Sequence, residues 1–195
     1  MSKLKQKLSG IFYVFPAVIQ KFLLRAFIIF WVWKICYFSL LSKDRIIDQP
    51  LTTLATHQTA IILNFFHDSG FSVKHSISYH EIDGVYHSTP SEIIQFNGFP
   101  IVMMLDSCNG LELFVLYIGF ILSMPVLWKR KLLFSIFGVL FLHFTNILRC
   151  VALAEISIHW SSGFDLAHHY LFNIVIYSTI LLLWNWFSHK TINSQ

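Results

Sequence analysis

The sequence predicts an all-α integral membrane protein, and three observations lead there. The 195 residues are 55% hydrophobic and only 12% charged, with 20 Phe, about half the charged share of an ordinary soluble domain. Mean hydropathy is +0.62. Four segments approach the roughly 20 mainly apolar residues that a spanning helix needs. Lys and Arg cluster beside these segments in a way that fixes one orientation.

The spans are expected at about Phe22–Leu41, Leu111–Trp128, Leu132–Leu153 and Tyr170–Phe187. Ile11–Ile19 is also apolar, but it is short and contains Pro16, so it reads as an interfacial lead-in. The basic start followed by an apolar run is like a signal peptide. No small-x-small cleavage site follows a short apolar core, so the segment is expected to be retained. Lys3, Lys5, Lys7, Lys21 and Arg25 precede or open span one. Lys129, Arg130 and Lys131 fill the turn between spans two and three, and Lys190 follows span four. An even number of spans puts all these clusters on one side, which the positive-inside rule makes the cytoplasm. Both termini are then cytoplasmic, and segments 42–110 and 154–169 lie outside.

One membrane domain over 1–195 is the expected organisation. It comprises the lead-in and span one (1–41), the extracytoplasmic segment (42–110) and a core of spans two to four (111–188). In the outer segment Leu51, Leu54, Ala55, Gln58, Ile61, Ile62 and Phe65 follow helical spacing, an amphipathic helix whose apolar face lies on the spans or at the bilayer surface. Ile93–Phe96, Asn97-Gly98 and Phe99–Met104 read as a β-hairpin, because Asn-Gly suits a turn with positive φ at both positions. Pro100 assigns the second strand to an edge.

Composition excludes several classes of function. The net charge of +4 comes from clusters beside apolar runs, so no nucleic-acid partner is expected. Three Cys without a CxxC pair argue against a disulfide framework. Cys36 and Cys150 fit small buried hydrophobes. His75, His80, Glu81 and His87 lack metal-site spacing, so neither a metal nor another cofactor is expected. Lys34, inside span one, is expected to pair with a carboxylate or face the bundle interior.

Three polar residues fall where apolar and polar segments meet on the outer side. Cys108 opens span two, where a helix N-terminus favours thiolate. Gly110 beside it leaves room for a substrate backbone. Arg149 lies near the outer end of span three, and a charge at that depth is a functional candidate by default. Asn146 is three residues earlier on the same helix face, so the two together could hold an oxyanion. His169 begins span four and could carry a proton, with His168 as the fallback. Glu112, one turn beyond Cys108, could orient a partner. His143 lies two turns before Arg149 and has no assigned role.

Cys108-Asn109-Gly110-Leu111, then Asn146-Ile147-Leu148-Arg149, then His169 together resemble the exosortase/archaeosortase family. Its pattern is Cys-(Ser)-Gly-(Leu/Ile), Asn-x-x-Arg and a His at a following helix start. Forty-one residues separate Cys108 from Arg149, about one helical hairpin. The resemblance covers roughly residues 90–188. Asn109 stands where Ser is commoner. His169-Tyr170-Leu171-Phe172-Asn173 stands where His-Asp-x-x-Gly is usual, so the choice between His168 and His169 stays open. The resemblance implies a compact bacterial membrane cysteine protease or transpeptidase of the cytoplasmic membrane. Its partners would be secreted proteins bearing a C-terminal motif, a transmembrane helix and a basic tail. The alternative is a non-enzymatic assembly factor of a secretion or polysaccharide-export system. A solute carrier would call for broken helices and internal symmetry, and the sequence has neither.

Overall fold

A computed structural model describes residues 17–41, 44–67, 69–82 and 85–192. The apolar lead-in up to residue 16, its side chains up to 19, the basic residues Lys3, Lys5 and Lys7, and the side chain of Lys190 lie outside the described parts. So do the side chains of His80, Glu81 and His87.

In chain order the elements begin with α1 (Ala17–Cys36), a π-turn (Tyr37–Leu41) and α2 (Asp48–Phe66). The strands β1 (Phe71–Ile82), β2 (Val85–Phe96) and β3 (Phe99–Met104) follow. Then come α3 (Leu111–Ser123), α4 (Trp128–His159), the single turn α5 (Phe164–Leu166) and α6 (Phe172–Ile192).

Three helical runs are long and apolar enough to cross a membrane: Gln20–Leu41, Trp128–His159 and Ser161–His189. The expected second span is shorter than the sequence suggested. α3 has 13 residues, about 20 Å of helix against a hydrocarbon core of about 30 Å. Pro125 is the cause. The residue before a proline is pushed out of the helical region, and Met124 is extended at φ −71°, ψ 140°. Lys131 then caps the broken end, its Nζ donating to the Leu122 carbonyl at 2.8 Å.

α3, α4 and α6 share an apolar core that includes Phe114, Tyr117, Ile121, Phe134, Leu142, Ile180 and Phe187. Tyr117 is fully buried and donates to the Phe134 carbonyl at 3.0 Å. Its ring occupies the space where Gly138 has no side chain, the small-residue approach that membrane helices use. α1 joins at the periphery, with the Phe22 and Phe120 rings edge-on at 5.2 Å. Cys36 is therefore exposed rather than buried, because among the described residues nothing covers that side of α1. Cys150 is buried, as expected.

A second core lies at the other end of α4. Ile147, Cys150, Val151 and Ala154 meet Ala60 and Leu63 of α2 and Phe71, Ile94, Val102 and Met104 of the sheet. The expected hairpin is real but incomplete: β1, β2 and β3 form a three-stranded antiparallel sheet in that order. Asn97 (φ 50°) and Gly98 (φ 86°) both take positive φ, as their turn requires. Pro100 sits in edge strand β3, next to a register shift between Ile94 and Gln95 that leaves Ile101 unpaired.

The expected apolar face of α2 splits in the structure. The buried stripe is small and polar: Asp48, Thr52, Ala55, Thr56, Thr59, Ala60 and Leu63. Leu54, Ile61 and Phe65 are exposed on the opposite side.

Candidate active site

Residues 105–110 connect β3 to α3 and step from the outer core to the membrane core. Asp106–Cys108 form a 3-10 turn. Gly110 follows with φ +85°, a left-handed conformation that only glycine adopts cheaply. A Cβ there would come within 3.3 Å of Phe114 and 3.5 Å of Asn146. Gly110 thus serves the turn and the close approach of α4. Its missing side chain would meet Phe114 and Asn146, and the residue also lines a cavity beside Arg149.

Polar side chains hold this loop on both sides of Cys108. Arg45 grips Asp106 in a bidentate pair at 2.6 and 2.7 Å. That pair raises the Arg45 pKa above its ordinary value, so the guanidinium stays charged. Thr52 Oγ1 also donates to Asp106 Oδ1 at 2.8 Å. Asn109 is buried, and its Nδ2 donates to Asp48 Oδ1 at 3.0 Å. Its Oδ1 accepts the Leu111 amide at 2.8 Å, satisfying one of the orphan N–H groups at the start of α3. Tyr37 completes the set, donating to Asp48 Oδ2 at 2.8 Å.

Asn146 fixes the loop to α4. Its Nδ2 donates to the Cys108 carbonyl at 2.9 Å, and its buried Oδ1 has no partner. One turn on, Arg149 is half-buried, and its Nε is buried without a hydrogen-bond partner. Arg149 lines a cavity of about 530 Å³ together with Ser107, Asn109, Gly110, Lys34, Tyr37 and Glu112. Phe30, Trp33, Leu116 and Ile176 supply its apolar wall. Lys34 pairs with Glu112 at 2.8 Å, the carboxylate partner expected for a charge inside span one. Glu112 is mostly exposed, at the mouth of this space.

No family model, curated protein or solved structure matches the chain.

The Cys108 thiol packs against the outer core, with Ser107 Oγ 3.9 Å from Sγ. Its neighbours Ser107 and Asn109 line the cavity, whereas Cys108 does not. His168 and His169 occupy a π-helical turn, Ala167–Leu171, with their rings 4.7 Å apart and nearly perpendicular. His168 is half-buried, stacked on Phe164 at 5.8 Å, and close enough to Arg149 to feel its charge. His169 is exposed, and its carbonyl accepts from Asn173 Nδ2 at 2.8 Å. Among the described residues, no hydrogen bond joins Cys108 Sγ, Arg149 and either imidazole.

Sequence reading missed Asp48, Thr52 and the Arg45–Asp106 pair. Their partners lie 54 to 61 residues away, and no local pattern announces such contacts. His143 also gains a partner, Gln58 Oε1 of α2 at 2.8 Å.

Proposed function

We propose that this chain is a membrane-embedded cysteine peptidase or transpeptidase of the exosortase/archaeosortase kind, with Cys108 as nucleophile. The observation that carries the reading is the Asn146 hydrogen bond to the Cys108 carbonyl. It ties the loop bearing a thiol to the helix bearing an unpartnered, half-buried arginine, beside a cavity with one polar and one apolar wall. Intramembrane cations are costly and are kept where they act.

In this reading one imidazole of the 168/169 pair takes the thiol proton, and His168 is the better placed because it shares Arg149's surroundings. Cys108 turns about its side-chain torsion from the outer core toward the cavity. The thiolate attacks the scissile carbonyl, and the Arg149 Nε–H, free of other partners, holds the developing oxyanion. The imidazolium then protonates the leaving amine. The resulting thioester is resolved by water or by an acceptor amine. Asn146 acts as a positioning residue, since its amide is committed to the Cys108 carbonyl. Substrates are secreted proteins with a C-terminal membrane helix and basic tail, whose scissile bond reaches the level of Cys108. The protein lies in a bacterial cytoplasmic membrane. α3, with the turn at residues 124–127, serves as the fourth crossing.

One observation favours a second reading, a non-enzymatic assembly factor: the thiol rests against the outer core instead of lining the cavity. Co-expression with secreted proteins carrying such C-terminal signals separates the two. The peptidase reading expects a Cys108-linked adduct or a shortened product, lost in Cys108→Ala and reduced at least a hundredfold in Arg149→Ala, the scale of an oxyanion donor. It also expects loss in one of His168→Ala and His169→Ala. Unchanged processing in all four variants would sink it.

A further inference from the structure

We propose that α2 is a half-inserted membrane helix whose Leu54, Ile61 and Phe65 face is solvated by acyl chains of the outer leaflet, although α2 belongs to the segment between spans. The inference rests on α4 crossing the membrane and on no activity.

Depth is the first argument. The turn Trp128–Lys131 marks the basic end of α4, and the hydrocarbon core extends about 30 Å from such a boundary. At 1.5 Å per residue, His143 stands about 18 Å above Lys131 and Glu155 about 36 Å above it. Gln58, in the middle of α2, is hydrogen-bonded to His143 Nε2 at 2.8 Å. The end of α2 instead reaches Glu155, which pairs with His67 at 2.6 Å. α2 therefore runs along the outer boundary of the hydrocarbon: Ala60 and Leu63 pack with Ile147–Ala154, about 24–35 Å above Lys131, Asp48 and Thr52 hold the Asp106–Asn109 loop, and Gln58 reaches down to His143. The exposed face of α2 therefore stands at the outer edge of the hydrocarbon, above Leu140, Phe141 and Phe144 of α4, with Phe65 nearest the headgroups.

Chemistry is the second argument. After Asp48, α2 carries no Asp, Glu, Lys or Arg. Ile61 is 67% exposed and Phe65 84%, a poor face to leave in water at 25 cal/mol per Å². His57, on the flank of this face, is the titratable side chain exposed there. Of the three buried threonine hydroxyls of α2, Thr52 donates to Asp106, whereas the other two are satisfied inside the helix: Thr56 donates to the Thr52 carbonyl and Thr59 to the Ala55 carbonyl, both at 2.7 Å. The apolar helices do likewise, with Ser123 bonding Gly119, Thr145 bonding Phe141, and Thr179 bonding Val175. Such back-bonding is how hydroxyls persist where water is absent.

The test uses the full chain in phosphatidylcholine–phosphatidylglycerol vesicles. The photo-crosslinker p-benzoyl-phenylalanine replaces Leu54, Ile61 or Phe65, with Phe144 on α4 and Ser88 on the sheet as references. After irradiation, intact mass reads lipid adducts. The proposal expects adducts at 54, 61, 65 and 144 and none at 88. Adducts at 144 without any on α2 would overturn it while leaving the membrane reading in place. No adduct at 144 would remove the spanning of α4 and the proposal with it. A covalent dimer at 61 or 65 would assign the face to a second copy of the chain instead.

Discussion

Asn109 makes three contacts from a fully buried position, and each has a different consequence. Its oxygen holds the Leu111 amide, and its Nδ2 approaches both Asp48 and Thr52, at 3.0 and 3.4 Å. Asn109→Ala leaves a buried carboxylate and a helix-start N–H short of partners, so a loss of about 2–3 kcal/mol is expected. Thermal unfolding in detergent measures it. Asn109→Asp should be worse at neutral pH, because it sets two carboxylates side by side, and like charges disfavour ionisation. Protonating one of them relieves the repulsion, so stability of that variant should rise as pH falls, whereas the Ala variant has no such response. Cys108, Gly110, Asn146 and Arg149 were all legible as a set from their spacing and their places at apolar boundaries. Their division of labour was not. Gly110 faces Asn146, and Asn146 holds a backbone carbonyl, facts set by tertiary approach rather than by sequence pattern. The Lys34–Glu112 pair was half legible: an intramembrane lysine demands a carboxylate, but only the fold says which one.

At the scale of elements, apolar length revealed the helices, and their ends were where it erred. α4 runs on to His159 because Glu155, Ser157 and His159 are polar but still helical, and Ser157 ties the helix to β3 by donating to the Ile101 carbonyl at 2.9 Å. Hydropathy stops where that polar turn begins. β1 escaped notice because its outward positions are polar and its inward ones, Phe71 and Val73, are few. The Asp83-Gly84 dipeptide that joins it to β2 is, however, a turn signal of the same kind as Asn97-Gly98. α2 misled most, since its largest apolar residues point away from the fold and its buried stripe is threonine and alanine. Helix contact itself yields a sharp prediction. Gly138→Ala must displace the Tyr117 ring and should cost about 1–3 kcal/mol as an overpacked site. At Gly119 a Cβ meets only Ile29 at 3.6 Å, so Gly119→Ala should be neutral or stabilising by helix propensity, up to about 1 kcal/mol. Denaturant or thermal titration of the two variants side by side checks the contrast.

For the whole molecule, the question is which end faces which compartment. Lys131 lies close enough to Arg25 to feel its charge, so the start of α1 and the turn between α3 and α4 share one end. The Arg45–Asp106 and His67–Glu155 pairs sit at the other. The basic end is expected to be cytoplasmic. Reporter fusions after residue 192 and within the 124–127 turn should be active only as cytoplasmic reporters, and an insertion after Ser88 only as an external one. Swapped results would invert the site relative to the proposed substrates. That Arg25 and Lys131 share one end was legible from the charges alone, because the positive-inside rule needs no tertiary contact. The two-core organisation was not, because it depends on a sheet whose first strand left little trace.

The capping of α3 by a side chain has a kinetic corollary. The Leu111 amide proton is held by Asn109, and Asn109 is held by Asp48 on a different helix. Deuterium can replace that proton only when α2 and the cysteine loop part company. The exchange rate at this single amide is thus a clock for how often the cysteine loop lets go of its support, and it should tick faster in Asp48→Asn than in the parent chain.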